Sequence, residues 1–395
     1  MFNIEHIERH NVRMDMLKIG IIGGGIGGLA AAIALRKAGH QVTVFEQAER
    51  FGRVGADINL TPNAVRALDG LGVGAQLRET AARPSARISR MWDTGEETSR
   101  LAMSDEAERK YGAPQLTMHR ADVMAALEQA LLPGELHLGK RTETFGETGN
   151  SATVRLADGS THAFDLLIGA DGIHSGVRKF LFGDERPQFT GIVSYRAVVP
   201  AERLSGGDLG AFVKWWGPTD DLQIVTFPLN RGRDVFIFAT TSQADWTHES
   251  WTTPGDPDAL REAYAAFHPE ARALLAACDT VLASALYIRD PLPKWTGQRM
   301  ALLGDACHPM MPFMAQGAGM AIEDAVVLSR ALKDIGPDGL GAALARYAEA
   351  RQSRTAQIQI GSRGNNWLKA GGNADWVYGY DAWTVPLPEQ ARELA

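Results

Sequence analysis

Three groups of glycine and acid lie far apart on this 395-residue chain, and each has the chemistry to hold phosphate or sugar. The first is Gly23-Gly24-Gly25-Ile26-Gly27-Gly28, closed by Glu46. Here Gly23 allows a tight turn, Gly25 lets backbone approach a pyrophosphate, and Gly28 lets helix and strand pack closely. The N–H groups at the helix start then face the phosphate, and Glu46 accepts hydrogen bonds from a ribose. The second group is Asp171-Gly172-Ile173-His174-Ser175-Gly176-Val177-Arg178. The third is Gly304-Asp305-Ala306-Cys307-His308-Pro309, followed by Gln316-Gly317-Ala318-Gly319. One ligand touched at three such distant points must be long, and FAD is long enough.

The elements that must position these groups are legible around them. Lys18 to Ile22 is an apolar run rich in isoleucine, as a buried parallel strand should be. Helical composition follows the glycines, and a second strand from Gln41 to Phe45 ends at Glu46, the context a dinucleotide fingerprint requires. Phe164 to Ile168 and Met300 to Leu303 read as further strands, each stopped by glycine and aspartate. Asp305 is placed for a ribityl hydroxyl, and the glycines at 317 and 319 let backbone approach a flat ring and its pyrophosphate. Helices are expected from near Ser175, from Met320 to Leu332 and from Leu340 to Gly361.

Composition sets limits. A formal charge of −7 with no basic block argues against nucleic acid or an anionic membrane as partner. The two cysteines, Cys278 and Cys307, form no CxxC pair, and His308 has no second histidine at ligand spacing, so no metal site is expected. His308 is read as structural and Cys307 as a packing residue. The uncharged stretch Ile19 to Leu35 resembles a signal core, but its glycines fit strand, turn and helix better. A cytoplasmic location is expected. Residues 1 to 15 read as a polar extension, with Met14 or Met16 as an alternative start.

Between the second and third groups the pattern changes to strands: Ile192 to Val199, Ala211 to Trp216, Leu222 to Phe227 and Asp234 to Thr240, with a turn at Asn230-Arg231-Gly232-Arg233. Such a sheet would wall one side of a ligand at a domain junction. Phe212, Trp215, Trp216, Phe227 and Phe313 are candidate walls for a flat aromatic molecule, or ordinary core. Alternation lets at most one of the two adjacent tryptophans face the pocket, and Trp215 is assigned to it. Tyr195 and Arg196 point to opposite faces; either can meet a carboxylate or phenol, or Arg196 can form a structural ion pair. Lys214 is read as solvated. The aromatic tail, Trp367 to Trp383, is expected to pack on the protein's own surface or a twin subunit.

From Lys18 to Trp383 the chain resembles the single-component flavoprotein aromatic hydroxylases of the para-hydroxybenzoate hydroxylase superfamily, within it most the salicylate hydroxylase and 6-hydroxynicotinate 3-monooxygenase branch. The passages that carry this are Tyr111-Gly112 with Met118-His119-Arg120-Ala121-Asp122, Val213-Lys214-Trp215-Trp216, Gly304 to Met310, Met314 to Ala318 with Ala321 to Ala325, and Trp376-Val377-Tyr378-Gly379-Tyr380-Asp381. The resemblance implies an α/β fold: a Rossmann-like FAD-binding domain (17–84, 105–182 and 288–365), an inserted antiparallel-sheet substrate domain (85–104 and 183–287), and a helical C-terminal region ending in a tail at 366–395. It implies that Glu46 and Gln47 hold the adenosine ribose, Arg120 lies near the pyrophosphate, backbone near Thr142 meets adenine, Asp305 meets the ribityl portion, and Asp171-Gly172 serves both FAD and the reducing nucleotide.

The implied activity is hydroxylation of a small aromatic or N-heteroaromatic acid, with or without decarboxylation. It would use NADH or NADPH and dioxygen through a flavin hydroperoxide, in a monomer or homodimer. Relatives of the hydroxynicotinate type carry histidine where Asn59 stands, a tyrosine base where Thr226 aligns, cysteine for Phe212 and histidine for Phe313; Asp57 replaces a usual glycine. Asn59 with an ordered water, or Tyr195, is the expected base. The competing readings are an NAD-dependent dehydrogenase and a non-catalytic FAD-binding or carrier protein.

Overall fold

The computed structural model describes residues 16–52, 57–246, 252–369 and 372–388; the extension at residues 1–15 lies outside them. Five strands form a wholly parallel sheet in the order Met300–Leu302, Leu166–Gly169, Lys18–Ile22, Gln41–Phe45, Leu136–His137. Its central strands are apolar because helices cover the sheet. Ile19, Ile21, Leu167 and Ile168 are fully buried beside the helices Ile26–Lys37 and Gly317–Leu332. Register places Ile22 beside both Phe45 and Gly169, and Gly169 beside Leu302. The residues that follow these strands, Gly23, Glu46, Ala170-Asp171 and Leu303-Gly304, therefore leave the sheet at one edge. That edge, at the C-terminal ends of parallel strands, is where open α/β sheets bind ligands.

The second large sheet has eight strands, in the order Thr253–Gly255, Val281–Ile288, Gln188–Pro200, Asp234–Ser242, Gln223–Leu229, Phe212–Trp216, Ala86–Met91, Glu97–Ala102. All its pairings are antiparallel except Phe212–Trp216 with Ala86–Met91. Its two faces have different neighbours. Val193, Tyr195, Val213, Trp215, Ile224 and Ile237 pack in one core with Leu260 and Leu275 of the helices Pro257–Ala263 and Pro269–Ala276 and with Tyr264 and Phe267 of the segment between them. The opposite face carries Phe212, Phe227 and Phe236, with Phe238 reaching Met311 and Phe313 of the third signature's loop. This second face looks at the cofactor-binding unit.

The aromatic tail packs on its own chain. Tyr378 is fully buried edge-on to Tyr111 at 5.7 Å, Trp383 donates to the Ala67 carbonyl (3.2 Å), and Arg354 lies 3.8 Å from the Tyr380 ring centre. Among the described residues no helix is long and apolar enough to cross a membrane, and no cluster of His, Cys, Asp or Glu has the makings of a metal site.

Candidate active site

The first signature builds an anion cradle. Gly23 has φ +102, and a Cβ there would stand 2.4 Å from the Ala170 carbonyl oxygen. A Cβ on Gly28 would lie 2.0 Å from the Gly23 carbonyl oxygen, so turn, strand and helix can close only over glycine. Gly25 is different: it caps the Ile26–Lys37 helix, and a Cβ there would meet nothing within 4 Å. The open space lies over a helix start whose first amides have no intrahelical acceptor. Glu46 accepts from Gly24 N (2.7 Å) and Ala48 N (2.8 Å), which fixes its carboxylate at the end of its strand. Gln47 is exposed beside it. Thr142 opens its strand at the same edge, two residues past Lys140, whose amide donates to the Glu46 carbonyl.

The second signature is mostly a clamp. Asp171 accepts from Ser175 Oγ (2.5 Å), Gly176 N (2.8 Å) and Val177 N (3.2 Å). Burial pushes its carboxyl up, against these hydrogen bonds. Both oxygens are taken up in starting the Gly176–Phe182 helix, which leaves Gly172, at φ +78 with open space around it, as the approachable part of the motif. Arg178 is buried and donates to the carbonyls of Ala306 (3.4 Å) and Cys307 (3.1 Å), pinning the loop that carries Asp305.

The third signature presents Asp305 on a short turn after Met300–Leu302. Water reaches Asp305, yet burial pushes its carboxyl above the usual range, opposed by His308 and Arg120. An exposed carboxylate closely surrounded by protein belongs to a cleft wall. Arg120, exposed at the start of the Arg120–Gln129 helix, faces the same space. Gly317, Ala318 and Gly319 form the first turn of the 16-residue Gly317–Leu332 helix, whose free amides make a second anion-binding end.

A buried polar lattice that sequence reading missed locks these loops together. Asn63 donates to Gln316 Oε1 (3.0 Å) and Glu323 Oε1 (2.7 Å), and Gln316 donates to Thr61 Oγ1 (2.8 Å). Glu323 and Asp324 pair with Arg351, each at 2.7 Å, and Asp324 also meets His308 (2.6 Å) and the amide of Gly304 (3.0 Å). Burial pushes the Asp324 carboxyl up, but His308, Arg351 and the Gly304 amide outweigh it and hold it at about 2. His308 is thus structural, and Cys307 is a fully buried packing residue. The Ala321-Ile322-Glu323-Asp324-Ala325 passage was the available sequence signal, without any hint of its partners.

The substrate-side expectations divide by face. Phe212, Phe227 and Phe313 lie on the cofactor side, with Phe212 and Phe227 stacked at 5.5 Å. Trp215, Thr226 and Tyr195 do not. Trp215 stacks on His268 at 5.7 Å, and Tyr195 Oη accepts from Gln243 Nε2 (2.8 Å), both in the far-side core. Thr226 and Trp215 line a cavity of about 360 Å3 on that far side, away from the cofactor loops. The strand period places Trp216 rather than Trp215 toward the cofactor. Lys214, read as solvated, is buried on that same side.

Asn59 accepts from Gln115 Nε2 (2.7 Å) while its own Nδ2 is buried without a partner. An amide nitrogen donates and does not take protons, so Asn59 is a hydrogen-bond donor rather than a base. Asp57, beside it, is the titratable group of this region. Burial raises its carboxyl to about 7, against the pull of Arg196 and Arg120. The residues fit a flavin dinucleotide: two open helix starts, a carboxylate, Glu46, fixed at the end of its strand, and an unpaired buried donor at Asn59.

Comparison with known proteins agrees. The family model described as "FAD binding domain" matches residues 16–360. The chain is 38% identical to 6-hydroxynicotinate 3-monooxygenase of Bordetella bronchiseptica over 96% of its own length and 99% of that protein. It is 37% identical to 3-amino-4-hydroxybenzoate 2-monooxygenase of Streptomyces platensis, over 91% of this chain and 88% of that one. Among solved structures, a salicylate hydroxylase substrate complex superposes with a TM-score of 0.82 at 28% identity, covering 93% of this chain and 96% of the other. With its glycine cradle, its clamped loops and a match spanning most of its length, the chain belongs to the FAD-binding-domain family of flavoprotein monooxygenases.

Proposed function

We propose that this protein is an FAD-dependent monooxygenase that hydroxylates a small aromatic or N-heteroaromatic acid at the expense of NAD(P)H and dioxygen. The observation that carries the reading is the convergence of Gly23–Gly28, Glu46, Asp171–Gly172 and Gly304–Asp305 at one edge of a parallel sheet, opposite the aromatic face of a second sheet. Relatives alike over nearly their whole length hydroxylate 6-hydroxynicotinate and 3-amino-4-hydroxybenzoate, which supports an aromatic acid as substrate.

The amides at Gly25–Gly27 and at Gly317–Gly319 hold the pyrophosphate, with Arg120 supplying positive charge. Glu46 and Gln47 hold the adenosine ribose, backbone at Thr142 borders the adenine, and Asp305 accepts from ribityl hydroxyls. The bound flavin supplies the redox chemistry, accepting hydride and activating dioxygen. The protein's own residues do the rest. Phe212, Phe227 and Phe313, with Trp216 in place of Trp215, exclude water and hold a flat ring. Asn59 Nδ2 donates a hydrogen bond into the cleft. Asp57, titrating near neutrality, takes the proton of a ring hydroxyl, because an electron-rich phenolate is the better oxygen acceptor.

The test is a panel of hydroxybenzoates, aminobenzoates and hydroxypyridine carboxylates added to FAD-loaded protein with NADH or NADPH. At least one acid stimulates nucleotide oxidation and yields a hydroxylated product by mass. Background rates with every acid would sink the assignment.

A further inference from the structure

Three basic side chains meet on the cofactor-facing side of the eight-stranded sheet, and among the described residues no acid pairs them. Register sets Arg87 directly beside Phe212, and Lys214 two residues further on the same face, toward Trp216. Arg87 is 4% and Lys214 2% exposed. The Arg87 guanidinium lies 4.5 Å from the Phe212 ring centre, and its buried Nη1 has no hydrogen-bond acceptor. The ammonium nitrogen of Lys214 lies 3.7 Å from the Trp216 ring centre and 5.5 Å from that of Phe313, and its one hydrogen bond goes to Asn365 Oδ1 at 2.5 Å. Lys369, half-buried, caps the group from the returning C-terminal segment, 5.3 Å from the Trp216 ring centre.

Among the described residues none of the three cations forms an ion pair within 4.0 Å. Buried cations are ordinarily paired, since stripping one of water without a counter-charge costs several kcal/mol. Rings supply part of that attraction through their faces, but a ring cannot accept the proton that Arg87 Nη1 offers.

We propose that Arg87, Lys214 and Lys369, with Asn365 beside them, form an anion subsite that receives the carboxylate of the aromatic substrate, its ring lying along Phe212, Trp216 and Phe313. The proposal rests on the monooxygenase reading and deepens it, by assigning acid recognition to residues that none of the three glycine signatures contains. Burial, together with Arg87 and Lys369, drives the Lys214 ammonium well below its ordinary range, and Asp220 pulls only weakly the other way. An incoming carboxylate opposes that push and favours the charged form of Lys214.

The experiment uses FAD-loaded full-length protein and flavin absorbance changes to measure affinity for hydroxybenzoates and 6-hydroxynicotinate. Each is compared with the phenol or hydroxypyridine that lacks only the carboxylate. In Lys214→Met and Arg87→Met, both close in size to the native side chains, affinity for the acids falls at least about tenfold, the loss expected for a charged hydrogen bond. Affinity for the carboxylate-free rings stays within about twofold, and FAD content is retained. Titration of the unaltered protein, which needs no variant to fold, shows the acids binding at least about tenfold more tightly than the rings that lack only the carboxylate. Equal losses for acid and neutral ring, unchanged acid affinity, or equal binding of acid and neutral ring by the unaltered protein would overturn the subsite while leaving the monooxygenase reading in place. If the unaltered holoprotein neither binds nor responds to any aromatic acid, that reading falls and takes the subsite with it.

Discussion

Single residues of one type do opposite work in this site, and the difference is measurable. Gly28 is needed by the fold, since any Cβ would sit on the Gly23 carbonyl; Gly25 faces open space and is needed only by a ligand. Gly25→Ala is therefore expected to leave the thermal stability of the apoprotein nearly unchanged while weakening FAD binding at least about tenfold, as loss of close backbone approach to pyrophosphate requires. Gly28→Ala should lower stability by several kcal/mol, in the range of overpacked sites and beyond. Differential scanning of apoprotein and flavin titration separate the two. Asp57 makes a second prediction. Its folded carboxyl titrates near 7, above its unfolded value, so its stabilising share is complete below the ordinary carboxylate range and is lost as pH rises through about 7. Asp57→Asn should flatten apoprotein stability between pH 5 and 8 and remove an ionisation near 7 from the pH profile of kcat/KM.

At the scale of elements, the helix Gly317–Leu332 joins the cofactor loops to the rest of the protein through Glu323 and Asp324. Asp324 is held at about 2, below its unfolded value, so its contribution is complete above the ordinary carboxylate range and disappears as pH falls toward 2. Asp324→Asn leaves Arg351 and His308 partly unpaired in the core and should cost about 3–5 kcal/mol, read by denaturant unfolding at pH 7. Arg178→Met should be milder for stability but should raise FAD dissociation, because Arg178 pins the backbone after Asp305. The strands ending in glycine and acid were legible because each signal is local: an apolar run, then residues that only a turn tolerates. The face each sheet residue occupies was not. Alternation separates Trp215 from Trp216, but which side meets the cofactor is set by the helices Pro257–Ala263 and Pro269–Ala276, which cover the other side. Lys214 was misread for a related reason: its hydrogen-bond partner, Asn365, lies 151 residues away.

Across the whole molecule, a parallel sheet gathers remote segments to one edge, and a second sheet turns its aromatic face toward them. The returning C-terminal chain covers part of that face, with Ser89 Oγ donating to the Leu368 carbonyl (3.1 Å). The match to relatives likewise spans nearly the full length of the chain. The most direct test of the account follows oxygen itself. FAD-loaded protein is given NAD(P)H, the most stimulating aromatic acid and isotopically heavy dioxygen, and the product is weighed. The expected product is a ring hydroxyl carrying one heavy oxygen atom per turnover. A product whose new oxygen comes from water, or nucleotide oxidation with no oxygenated ring under every acid, would contradict it.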